Sequence, residues 1–532
     1  MTKRMHAHLG AVLTLVALTT VSLHAQVYTE LYNFNWHAEG ANPMAPALLA
    51  QGQDGNLYST LQTQLFGEGS VYGWSVSGGS LSEIYGFLGP DGIAPQSGLS
   101  LGIDGNFYGT TETGGTYGYG SVFKITPGGG LTSLYSFANG NDGAYPWAPP
   151  IQAPDGNIYG ATYNGTNQGR AYKITPAGVF TMIAVLPSKT QAPFILGGDG
   201  NLYGTTPYGG TYNRGTVFQL TTKGKLKIVY SFTAESPSGP VMQAADGKLY
   251  GTTPWGGTNG QGLIYSMTTV GGSYKVLHNF SNIEGSNSTA GLVQGSDKFL
   301  YGVAEAGGAN GQGSLFKVNT TGTSFSVLYA FQTAFGDTPM STPVLHTNGI
   351  IYGTTFHGGP ISSGYGTLYS FDAGLKPFAS LVIIWSGKVG THVGIIGQGF
   401  SSATGVKFGT GPGTFTVISD NYMIATAAAG ATTGPVTVLE PSGNLVTRQT
   451  FKVLPTITSF SPSSGPIGTS VVITGLSLSQ TSAVSFGSVK TTFTVNSDTQ
   501  VTAVVPAGAI TSKPKITTKG GVVTAATKFT VE

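Results

Sequence analysis

The side chains able to do chemistry are few and scattered. Three of the eight histidines lie in an apolar N-terminal leader, and His37, His278, His346, His357 and His392 have no metal-ligand spacing. His278 stands where other repeats carry Tyr, so it reads as a packing variant. There is no cysteine, which excludes disulfides and thiolate metal sites. No metal or cofactor is therefore expected. A Gly-x-Ser-x-Gly match at Gly98-Leu-Ser100-Leu-Gly102 lies in a run that reads as a strand. A nucleophile elbow needs a strand-to-helix turn with Asp and His following, and no helix follows here. Six of the 22 acids recur at one place, as Asp54, Asp104, Asp155, Asp199, Asp246 and Asp297, each beside Gly or Lys. In the corresponding seventh position Asn348-Gly349 keeps the turn chemistry and drops the charge, so these residues read as structural. Glu112 and Glu305 are non-turn acids that recur at one loop position, and they are the candidates for the carboxylate pair that glycoside cleavage uses. They occur in two repeats of seven, and the expectation is a protein that is not an enzyme. A polysaccharide hydrolase or lyase is the alternative, and a purely structural envelope protein is a third.

Those acids belong to a phrase, Asp199-Gly-Asn-Leu-Tyr-Gly-Thr-Thr-Pro-Tyr-Gly-Gly210, that organises most of the chain. Variants are centred on Tyr58, Tyr108, Tyr159, Tyr203, Tyr250, Tyr301 and Tyr352, 44 to 51 residues apart. A fixed period of this size marks repeats stacked into a propeller, solenoid or array. Each unit holds four short β-branched or aromatic runs separated by Gly, Asp or Asn turns, as antiparallel strands joined by hairpins do. Tyr-Gly-Thr-Thr reads as core, with its Gly admitting close approach between blades. Four strands in seven units predict a seven-bladed β-propeller, whose closure leaves only short protected edges. An open solenoid would need capping repeats, and none is evident. Repeat seven lacks a fourth strand, whereas Val27-Tyr-Thr-Glu-Leu-Tyr-Asn-Phe34 stands alone before repeat one. The two are expected to pair and join the ends of the ring. The rival, Leu375 to Leu381, is disfavoured by Pro377 and its missing donor.

The repeated phrase, with its following Gly-Gly, Gly-Thr-Val-Phe and Leu-Tyr-Ser-Phe, resembles the Gloeo/Verruco ("GloVer") tandem repeat of bacterial exported proteins over about Tyr28 to Phe371. That resemblance implies export rather than a defined chemistry. Beyond it, residues 377–454 and 455–532 align without gaps, Gly387-Lys-Val-Gly-Thr391 meeting Gly465-Pro-Ile-Gly-Thr469. Each copy is expected to be a small immunoglobulin-like sandwich. Pro455 to Thr469 resembles the IPT/TIG domain; in the first copy Ile384-Trp385 replaces Pro462-Ser463. The expected division is thus a leader at 1–25, a propeller at 26–376 and two sandwiches.

Composition agrees with an all-β chain of several domains. Gly is 83 of 532 residues, 40% are hydrophobic and 9% charged. Net charge is +2 without a basic run, which argues against nucleic acid or an anionic membrane as partner. Lys3 and Arg4 precede an apolar run from Ala11 to Leu23, and Leu23-His24-Ala25 offers a cleavage site. This reads as a signal peptide cut near Ala25, with a secreted or cell-surface product and no later membrane-spanning stretch.

Loop lengths then locate a binding face. The Asp-Gly and Pro-Gly-Gly turns are tight, so the long second-to-third-strand loops and the connections between blades emerge together on the opposite side. Tyr208 and Trp255 directly precede the Gly-Gly of their repeats, and His357 takes that place in repeat seven. With Tyr212 and Tyr365 they are expected to form an arc of flat rings suited to the C–H patches of sugars, Asn213 and Asn259 adding hydrogen bonds. A glycan or surface polysaccharide is the expected partner.

Overall fold

The Asp-Gly pair sets the first hairpin of repeats one to five, with Asp297-Lys298 and Asn348-Gly349 in the same place in repeats six and seven. In repeat four the inner strand Ile195–Leu196 enters the turn at Asp199-Gly200, where Gly200 takes φ +81°, and returns as Leu202–Thr206. Thr216–Leu220 and Leu226–Ser231 complete an antiparallel sheet in chain order. The computed structural model describes residues 26–35, 48–62, 68–164, 168–359 and 364–532; the expected leader with its cleavage site, and His37, lie outside them. It contains six such sheets in sequence.

The seventh sheet closes the ring with strands from both ends. Val344–Leu345, Ile351–Thr355 and Thr367–Asp372 are followed by Val27–Asn33, with Tyr28 opposite Phe371 and Thr29 opposite Ser370. The expected clasp therefore forms. The rival segment goes elsewhere: Ser380–Leu381 pairs with His392–Ile396 in the first sandwich. A register shift recurs between third and fourth strands, after Val71, Val122, Ala171, Val217, Ile264 and Leu315, and the N-terminal strand shifts between Glu30 and Tyr32. Such bulges sharpen the local twist. The borrowed strand thus matches its six counterparts, and Phe34 is buried like Phe87, Phe137, Phe232, Phe280 and Phe331.

Two motif readings gain detail. Each repeat tyrosine from Tyr58 to Tyr301 donates its hydroxyl to the turn aspartate four residues earlier, at 2.6 to 3.0 Å. The same carboxylate accepts the backbone N–H two residues on, as at Asn201 (3.1 Å). In repeat seven the amide of Asn348 serves both purposes, reaching Tyr352 Oη at 3.1 Å and accepting from the Ile350 N–H at 2.9 Å. The glycine reading is corrected. A Cβ on Gly204 would lie 2.5 Å from Phe218, and on Gly251 2.4 Å from Tyr265. These aromatics sit opposite the glycines on the third strand of the same blade, so the small residue admits a ring within the blade rather than a neighbouring blade.

The first C-terminal copy forms one continuous eight-stranded sheet around its core, where two separate sheets were expected of a sandwich. Its strand Gly411–Ser419 runs unbroken between Gly405–Phe408 and Tyr422–Ala427. In the second copy the equivalent stretch divides into Val489–Thr491 and Phe493–Ser497, which join different four-stranded sheets. The first copy docks on the tight-turn side of the propeller: Lys452 Nζ donates to Gly198 O, Arg448 Nη1 to Gln294 O, and Gln398 Nε2 to Thr347 Oγ1 at 2.9 Å.

Candidate binding face

In repeats four, five and seven the second threonine of the Tyr-Gly-Thr-Thr phrase anchors the long loop. Thr206 Oγ1 donates to the Tyr208 carbonyl (2.8 Å), Thr253 Oγ1 to that of Trp255 (2.8 Å) and Thr355 Oγ1 to that of His357 (2.9 Å). Tyr208, Trp255 and His357 therefore occupy equivalent places in their blades, as their sequence positions suggest. With the backbone tied down two residues behind, the side chains project outward. Tyr208 is 60% and Trp255 62% exposed.

Tyr208 and Trp255 line one cleft of about 540 Å³ between the loops of repeats three to six. Its other walls include Tyr163, Gln191, Asn213, Arg214, Ser236 and Asn287. Among the buried polar atoms here, Ser238 Oγ and Asn287 Oδ1 have no partner among the described residues. Tyr163 stacks on Trp147 at 4.5 Å with 9° between planes, and Lys189 Nζ lies 5.1 Å from its ring centre. The cleft thus offers three flat rings, one exposed guanidinium and several neutral hydrogen-bonding groups.

The five-membered arc does not assemble as expected. Tyr212 is exposed at the edge of its loop and is not part of the cleft wall. His357 belongs to repeat seven, away from the repeats that line the cleft, with its ring edge-on to Phe356 at 4.3 Å. Tyr365 is half-buried and packs on the cluster joining blades seven and one, where its apolar body finds a place among Phe34, Tyr72 and Leu368. The two asparagines mainly brace loops: Asn213 Oδ1 accepts the Gly209 N–H (2.9 Å), and Asn259 Nδ2 donates to Phe280 O (3.0 Å). Tyr163 and Arg214 are among the wall residues that the expected arc left out. A signal existed for Tyr163, which occupies a long loop, but Asn164-Gly165 follows it where other repeats carry Gly-Gly, and this hid the equivalence.

The suspected catalytic groups are dispersed. Ser100 lies in the inner strand Ser100–Leu101 and donates to Pro150 O, so no elbow forms. Burial raises the pKa of Glu112, which accepts from Gln96 Nε2, and that of Glu305, which accepts from Thr289 Oγ1 at 3.3 Å. Thr289 borders the cleft; Glu112 lies in repeat two, outside its wall. His278 stacks on Phe325 at 3.7 Å, as Tyr135 does on Phe180 and Tyr230 on Tyr274, which fits its reading as a packing variant. Among the described residues no three His, Cys, Asp or Glu gather as a metal site would require, and no helix is long and apolar enough to cross a membrane.

Fold and face together define an all-β protein with a propeller platform followed by immunoglobulin-like modules. The chain belongs to the Gloeobacter/Verrucomicrobia repeat family, whose model matches residues 14–194 and 189–416, and an IPT/TIG domain matches 455–531. No curated protein matches it. Among solved structures, an oligogalacturonate lyase in complex with manganese is 12% identical with a TM-score of 0.46, over 65% of this chain and 92% of its own. Kuenenia stuttgartiensis hydrazine synthase is 17% identical at 0.44, over 61% and 96%. A putative 6-phosphogluconolactonase from Bacteroides uniformis is 13% identical at 0.40, over 56% and 88%. At these values the likenesses bear on no point of function.

Proposed function

We propose that this is an exported, non-enzymatic binding protein that holds a glycan in the cleft of Tyr208 and Trp255. The observation that supports it most is the juxtaposition of these two exposed rings in adjacent blades, on loops fixed by Thr206 and Thr253. Flat aromatic faces take the apolar faces of sugar rings, while Gln191, Asn213 and Ser236 offer neutral partners for hydroxyls. The volume is in the range of small-ligand sites, about 300–1,000 Å³. Export is supported by the charged leader followed by its apolar run. The first sandwich holds the platform by its tight-turn side and the pair act as spacers, which leaves the long-loop face available.

A glycan array probed with the full mature chain tests this reading. Binding is expected for the parent and a loss of at least tenfold for Trp255→Ala combined with Tyr208→Ala. A parent that binds no glycan, or binding untouched by the double change, would remove the site. One observation favours a second reading: Glu305 is desolvated beside Thr289 on the cleft wall, where a carboxylic acid would be poised to donate a proton. Release of reducing or unsaturated ends from a polysaccharide, abolished by Glu305→Gln, would establish that alternative over simple binding.

A further inference from the structure

A second cavity, of about 410 Å³, lies where the inner strands of blades one, two, six and seven meet the first sandwich. Its wall is largely aliphatic; Leu101, Val293 and Val344 come from the propeller, and Val382 and Ile396 from the sandwich. The polar residues on this wall are mostly matched by protein partners. Gln51 and Thr347 bond each other twice, at 2.7 and 3.0 Å, Thr342 Oγ1 accepts from the Gly291 N–H, and Ser380 bonds Gln449. Arg448 is the exception.

Its Nη1 donates to Gln294 O and its guanidinium lies 4.4 Å from the centre of the Phe378 ring, yet Nε is buried without a partner. Among the described residues no carboxylate lines the cavity, and the ion pairs are Lys248–Asp246 and His278–Glu284. Burial lowers the Arg448 pKa to about 10, which still leaves the group charged at neutral pH. A buried cation without an anion is costly, whereas a planar guanidinium fits a carboxylate through paired hydrogen bonds.

We propose that this cavity binds a small amphiphilic carboxylate, its head on Arg448 and its aliphatic tail among the inner-strand leucines and valines. The charge supplies the missing counter-ion, and the apolar wall excludes ligands that are polar throughout. This site is independent of the cleft on the opposite face. It is tested with decanoate as probe and decanol as its uncharged counterpart, by calorimetric titration of the mature full-length chain. Decanoate is expected to bind at least tenfold more tightly than decanol, and Arg448→Met to abolish that preference. Ile396→Trp, which fills the cavity from the sandwich side and leaves Arg448 in place, is expected to block both probes. If Arg448→Met does not fold, the Ile396→Trp chain decides. No binding of decanoate to the parent, equal binding of decanol, or decanoate binding unchanged in either folded variant would overturn the proposal.

Discussion

At Tyr203 the hydroxyl is held between Asp199 Oδ2 (2.7 Å) and Gln219 Nε2 (2.7 Å). Burial, reinforced by the Asp199 carboxylate, pushes its pKa up to about 12. Asp199 moves the other way: burial opposes ionisation, but hydrogen bonds from Asn201 and Tyr203 outweigh it and keep the carboxyl below its ordinary value. The stabilisation from this carboxylate is therefore present above about pH 4 and lost as pH falls through its folded value. Tyr203→Phe deletes the hydroxyl without changing the ring. A loss of about 1 kcal/mol is expected, the ordinary net worth of one hydrogen bond, because the half-exposed carboxylate keeps its other donors. Denaturant unfolding of the variant checks it, and an unchanged midpoint would mean that the turn holds without its tyrosine.

The decisive element is the strand Val27–Asn33. It contributes Tyr28, stacked on Tyr329 at 3.9 Å, and it is followed by Phe34, which is 1% exposed and edge-on to Tyr72 of blade one. Six blades obtain their last strand from the chain that follows, so a fault there stays within the blade. A fault in this strand opens the ring and uncovers two sheet edges. Phe34→Ala is expected to cost about 3–5 kcal/mol, the usual range for a buried aromatic truncated to a methyl. Thermal unfolding measures it. A shift no larger than that of an exposed control such as Tyr117→Ala would show that the ring closes without the clasp.

Over the whole molecule, the seam between blades seven and one also carries a pH-sensitive contact. His346 is buried, its Nδ1 accepting from the Asn348 N–H at 3.2 Å and its Nε2 donating to Gly55 O at 2.9 Å. Burial lowers its pKa, outweighing those hydrogen bonds, so the folded protein favours neutral imidazole. The sign follows from proton uptake: above the ordinary value of 6.5 neither state binds the proton, and below it the unfolded chain binds first. Stability is thus expected to fall as pH drops from 7 towards 5, and His346→Gln should flatten that slope. Unfolding midpoints at the two pH values compare them. Equal slopes in parent and variant would locate the acid sensitivity elsewhere.

Much of this architecture was legible because it depends on neighbours in sequence. An Asp-Gly turn needs only its own few residues, and a tyrosine four positions on reaches back to the same carboxylate, so seven copies of the phrase announce seven hairpins. Even ring closure could be counted, since one unit lacked a strand and one strand lacked a unit. The binding face was legible only as a side of the molecule. Which aromatics meet depends on angular position around the ring, and this sets Tyr208 and Trp255 beside Tyr163 while leaving His357 in another sector. Tyr365 was misplaced for a similar reason, because burial against Phe34 depends on a contact between the two ends of the propeller. Arg448 gave no local sign at all. Its contact with Gln294 spans 154 residues, and its lack of an anion is a property of the surface formed when the first sandwich meets the propeller. Local chemistry chose the strands and turns; long-range packing chose which side chains share a cavity.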